Sequence, residues 1–63
     1  MESFESYRPY LFAIAYRMLG SVMDAEDMVQ ETYLRSRSTP PETIRSLKAF
    51  LITILTRLCV DQL

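Results

Sequence analysis

Phe4, Tyr7, Leu11, Ile14 and Met18 recur at intervals of three, four, three and four residues, a spacing that lines one face of an α-helix with apolar side chains. Phe12, Ala15, Tyr16 and Leu19 widen the stripe. Pro9 has no amide hydrogen, so it fits best in a first turn, where that donor has no partner anyway, with Ser6 as the N-cap. A start at Ser3 instead predicts a kink at Pro9. Gly20 follows the last apolar residue, where a C-terminal cap needs a left-handed backbone that glycine adopts cheaply.

Ser21 stands three residues before Asp24, a capping-box pattern that starts a second helix at about Val22. Its inward stripe is Val22, Ala25, Met28 or Val29, and Thr32 or Tyr33. The opposite face carries Asp24, Asp27, Gln30, Glu31 and Leu34. From Ser36 to Ser46 the chain reads SRSTPPETIRS, and the adjacent prolines among serines and threonines predict a partly extended loop. Ser46 caps a third helix. There Leu47, Phe50, Leu51, Ile54, Leu55 and Leu58 keep helical spacing, and the β-branched Ile52-Thr53-Ile54 lacks the alternation and hairpin partner of a strand. The expected fold is all-α, a small three-helix bundle.

Size narrows the function. A domain of about 60 residues buries only about 60% of its unfolded surface, which leaves one small core and no deep, dry catalytic cavity. The 63 residues contain no His and a single Cys, so disulfide frameworks and zinc sites are excluded and an enzyme is not expected. Cys59, beside Leu58 and Val60, reads as a small buried hydrophobe. Asp24, Glu26, Asp27 and Glu31 lack the alternating spacing and Gly of a calcium loop and read as a solvated helix face, so neither metal nor cofactor is expected. No apolar run approaches the roughly 18 residues of a membrane span, and Met1 leads into Glu2 rather than a basic signal region, which predicts a cytoplasmic protein without a membrane partner.

Charge is divided along the chain. Residues 1–34 carry two cations against six carboxylates, and residues 35–63 carry five cations against two, so the first part is acidic and the second basic. That division suits one basic or polar partner and one anionic partner. Met23 and Leu34 add apolar atoms to the charged face of the second helix, a mixture that resembles the centre and rim of a protein interface.

The segments AYRMLGSVMDAEDMVQETYLR, residues 15–35, and IRSLKAFLITILTRLCVDQL, residues 44–63, resemble region 2 of bacterial sigma factors of the extracytoplasmic-function type. The resemblance covers nearly the whole chain. It implies that the second helix docks on the clamp helices of the RNA polymerase β′ subunit through Asp27, Gln30 and Glu31, with Leu34 adjacent. It also implies that Ser36 to Arg45 form a specificity loop and that this loop and the third helix face promoter DNA at the minus-ten element, where an unstacked base of the non-template strand is captured. Arg45, Lys48, Thr53, Thr56 and Arg57 are the candidate DNA-side residues, with cations on phosphates and hydroxyls on bases or sugars.

The family usually continues past the position of Leu63 into an Arg-rich helix end and region 4, so the chain reads as a truncated region 2 domain. Such a domain is expected to work in transcription initiation and regulation with polymerase core and promoter DNA, and an anti-sigma factor is a further candidate partner. A homodimer through exposed apolar surface of the third helix is expected at high concentration, because a chain this short has little stability in reserve. The competing reading is a protein-binding helical module, or a truncated sigma fragment, that binds polymerase or itself without useful DNA affinity.

Overall fold

The computed structural model describes residues 3–63 and contains three long α-helices: α1 (Phe4–Leu19), α2 (Val22–Arg37) and α3 (Leu47–Gln62). A short 3₁₀ turn, Pro41–Thr43, sits in the connection between α2 and α3. Each helix packs against both of the others, which is the expected three-helix bundle.

The start of α1 corrects the sequence reading. Ser3, not Ser6, is the N-cap, and Ser6 is its partner three residues on. The Ser3 hydroxyl accepts from the Ser6 amide at 3.4 Å, and the Ser6 hydroxyl accepts from the Ser3 amide at 3.1 Å. This reciprocal pair satisfies two donors that a helix end would otherwise leave open, and the early start also packs Phe4 and Tyr7 against the core, which works against the preference of Pro9 for a first turn. α1 runs through Pro9 as one helix. Pro9 and Glu5 are both exposed, so the Glu5 carbonyl that loses its intrahelical donor can turn to water.

Gly20 ends α1 with φ 70°, and its amide donates to the Tyr16 carbonyl at 2.8 Å. Ser21 then caps α2, its hydroxyl accepting from the Asp24 amide at 3.3 Å. The two-residue connection folds α2 back against α1.

The core consists of Leu11 and Ala15 from α1, Ala25 and Val29 from α2, and Leu51, Leu55 and Cys59 from α3. Ala15 and Ala25 have no side chain beyond Cβ, which lets the backbones of the first two helices approach while leucines from α3 fill the remaining space. Val29 and Thr32 occupy the two inward positions that spacing alone left open. Thr32 is fully buried, and its hydroxyl donates to the Met28 carbonyl at 2.8 Å, so it enters the core with its donor satisfied.

Val22 departs from expectation: it has the right phase but is 50% exposed, because it lies at the first position of α2, beyond the edge of the packed region. Cys59 is buried as expected, and desolvation pushes its thiol pKa above the ordinary cysteine value. Ser46 caps α3 by accepting from the Ala49 amide at 3.2 Å.

The loop is shorter than its sequence suggested. Ser36 and Arg37 belong to the last turn of α2, where the Ser36 hydroxyl donates to the Tyr33 carbonyl at 2.8 Å. The connection proper begins at Ser38, whose hydroxyl donates to the Arg35 carbonyl.

Candidate functional site

Two surfaces concentrate the candidate residues. The first is the outer face of α2. At about 100° per residue, Met23, Asp27, Gln30, Glu31 and Leu34 fall within one sector of the helix, turned away from Ala25, Val29 and Thr32. The burial pattern agrees with that projection. Asp27 and Gln30 are exposed, Met23 is 78% exposed and Leu34 52% exposed.

Glu31 is half-buried and already has a partner: Arg35 donates through Nε to its carboxylate at 3.3 Å. Each side chain of this i,i+4 pair is about half in water, so screening keeps the pair to at most about 1 kcal/mol. A competing cation can therefore take Glu31 at small cost. The face offers carboxylates and an amide beside two apolar side chains, a combination that accepts cationic and hydrogen-bonding groups while excluding water.

The second surface lies between the C-terminal end of α2, the start of the loop and α3. An open groove of about 500 Å³ is lined by Arg35, Ser38, Thr39, Phe50, Ile54, Arg57, Leu58 and Asp61. Arg57 thus shares a groove with Arg35, a residue that the sequence counted among the cations but did not assign to this side. The groove combines two guanidinium groups and the Asp61 carboxylate with two hydroxyls, an aromatic ring and aliphatic side chains.

The five DNA-side candidates do not form one patch. Thr53, Thr56 and Arg57 share the outer sector of α3, and Thr56 and Arg57 also line a smaller cleft with Val60 and Asp61. Lys48 is nine residues from Arg57, about half a turn out of phase, and its Nζ lies 5.0 Å from the centre of the Tyr10 ring. Arg45 stands in the loop and borders a separate cleft with Pro41, Ile44 and Leu47.

Both threonines donate their hydroxyl hydrogens to their own helix, Thr53 to the Ala49 carbonyl and Thr56 to the Ile52 carbonyl. In that arrangement their oxygens remain acceptors only.

No helix among the described residues is long and apolar enough to cross a membrane. Residues 3–63 match the family model described as Sigma-70 region 2. The chain belongs to the sigma-70 region 2 family. Among curated relatives, it is 44% identical over 63 residues to the ECF RNA polymerase sigma factor SigJ of Mycobacterium tuberculosis, covering 100% of this chain and 20% of that protein. It is 38% identical over 61 residues to the probable ECF RNA polymerase sigma factor SigI of the same species, covering 97% of this chain and 21% of the relative. With SigG of that species it shares 44% identity over 61 residues, covering 94% and 16% respectively. The chain therefore spans about a fifth of the length of these relatives or less. No solved structure matches it. The matched sigma-70 region 2 segment includes all three helices and both surfaces described above.

Proposed function

We propose that this sigma-70 region 2 domain is a non-catalytic transcription initiation module of the bacterial cytoplasm that binds RNA polymerase core and promoter DNA. Its α2 face docks on the β′ clamp helices through Asp27, Gln30, Glu31 and Leu34. The observation that carries this reading is the solvent exposure of Asp27, Gln30 and Leu34 along one side of a helix whose other side builds the core. The test is charge reversal: Asp27→Lys combined with Glu31→Lys abolishes binding to core polymerase while the far-ultraviolet circular dichroism stays helical. Retained binding by a folded double variant removes the proposed docking face.

On the DNA side, the groove between Arg35 and Arg57, together with Arg45, Thr53 and Thr56, receives the minus-ten strand once it has opened. Guanidiniums hold phosphates and the apolar wall receives an unstacked base. Unstacking costs a few kcal/mol, which the complete polymerase assembly supplies rather than 63 residues alone. A salt titration of binding to single-stranded minus-ten DNA separates this from a module that only binds protein: counterion release requires affinity to fall with salt. The scatter of the cations, with Lys48 held over Tyr10, favours the protein-only reading to the extent that it thins the DNA surface. An anti-sigma factor that blocks initiation would compete for the α2 face. Self-association would use the outer side of α3, where Val60 is 56% exposed, and sedimentation at rising concentration measures it.

A further inference from the structure

An open groove of about 430 Å³ runs between α1 and α2, lined by Arg8, Pro9, Phe12, Glu26, Val29 and Gln30. It shares Gln30 with the outer face of α2, so a helix lying on that face passes its rim. The groove has an apolar floor and one unanswered charge. Phe12 and Val29 supply the floor, and the Phe12 ring stacks with Tyr16, centroids 6.1 Å apart and planes at 7°, which extends the aromatic wall toward solvent. Glu26 has neither an ion pair nor a hydrogen bond from its side chain among the described residues.

Arg8 is the one cation lining the groove among the described residues, and its guanidinium is turned elsewhere. Its Nη2 lies 3.0 Å from the Glu5 carboxylate, and its Cζ lies 5.1 Å from the centre of the Phe4 ring. The carboxylate of Glu26 is therefore left to an outside cation. A planar guanidinium suits the site better than an ammonium, because it lies flat on an aromatic ring while its edge forks to a carboxylate.

We propose that the α1–α2 groove receives an arginine side chain from the protein that docks on α2, with the guanidinium over Phe12 and paired with Glu26. This rests on the docking face proposed above and extends it onto α1. Four acidic residues on α2, Asp24, Glu26, Asp27 and Glu31, supply the charge complementarity to such a partner.

The test measures binding of this chain to bacterial core RNA polymerase. Glu26→Gln, which keeps the shape and removes the charge, weakens binding about tenfold, in line with the loss of one charge-assisted contact. Phe12→Leu, which keeps an apolar floor and removes the ring, weakens it severalfold. Glu26→Asp, which keeps the charge and draws it back from the ring, also weakens binding. Circular dichroism confirms that each variant is folded, and Glu26, being exposed, carries little folding risk. Wild-type affinity for Glu26→Gln, alongside loss of binding in the Asp27→Lys, Glu31→Lys variant, overturns the groove and leaves the α2 face standing. Wild-type affinity for Glu26→Asp alongside loss for Glu26→Gln reduces the effect to net charge and also overturns it. Loss for Glu26→Gln with binding retained by the double variant upholds the groove and moves the docking face toward α1.

Discussion

The ring of Phe4 lies 4.9 Å from that of Tyr33, inclined at 60°, so the first residue of α1 is clamped to the C-terminal half of α2. The Arg8 guanidinium lies 5.1 Å from the centre of the Phe4 ring and the Arg37 guanidinium 5.6 Å from that of Tyr33, so each ring of the pair also meets a cation. A tilted aromatic pair contributes about 0.5–1.5 kcal/mol beyond its buried area. A double-mutant cycle with Phe4→Leu and Tyr33→Leu, read by urea denaturation, should return a coupling energy in that range. Strict additivity of the two substitutions would show that the rings do not support each other.

Gly20 is the hinge between the first two helices. At φ 70° any other L-residue is strained, although a Cβ there would meet nothing within 4 Å. Gly20→Ala should therefore destabilise by about 1–2 kcal/mol through backbone conformation alone. Gly20→Asn should recover part of that loss, because asparagine tolerates the left-handed region better. Equal midpoints for the glycine and alanine proteins would contradict the capping geometry.

Leu55 is fully buried at the centre of α3, and truncating such a leucine to alanine removes about 2–5 kcal/mol. A domain this small has a stability of the same order. Leu55→Ala should thus lose the cooperative thermal transition at room temperature, whereas Thr53→Ala, on the exposed side of the same helix, should retain it.

The buried thiol gives stability a distinct alkaline dependence. Burial raises the pKa of Cys59 in the folded state above the ordinary value of 9.0, so the folded protein holds the proton more tightly than the unfolded chain. Its contribution is fully present below about pH 9 and is lost as pH rises through the folded-state pKa. The urea midpoint of the parent should fall more steeply above pH 9 than that of Cys59→Ala. Parallel alkaline profiles would remove the thiol from the explanation.

For nucleic acid, the geometry separates cations that the sequence grouped together. Arg57 shares a groove with Arg35, while the Lys48 ammonium rests on Tyr10. Arg57→Ala should weaken binding to single-stranded minus-ten DNA and make the logarithmic salt slope shallower by about 0.7, the value for one phosphate contact. Lys48→Ala should change both much less. The reverse ranking would place the strand on the α1 side of α3.

Helix number, the end of α1 and the starts of α2 and α3 were legible in the residues themselves, because Gly20, Ser21 and Ser46 act through hydrogen bonds within a few positions of the chain, whereas the end of α2 ran two residues past its expected stop. The outer stripe of α2 was equally readable from periodicity. The start of α1 was less so: Ser3 and Ser6 are both competent caps, and only their reciprocal bonding decides between them. Val22 had the correct phase but lay past the edge of its neighbours, a fact about packing rather than spacing. The meeting of Arg35 and Arg57 in one groove depends on how α2 crosses α3, which no local pattern encodes.

The ion pair between Glu31 and Arg35 straddles the two surfaces, with its carboxylate on the proposed docking face of α2 and its guanidinium in the groove shared with Arg57. If a partner's cation captures Glu31, Arg35 is freed for an anion, and the linkage is reciprocal. Because the pair is solvent-exposed and worth no more than about 1 kcal/mol, this cooperativity has a ceiling of about fivefold.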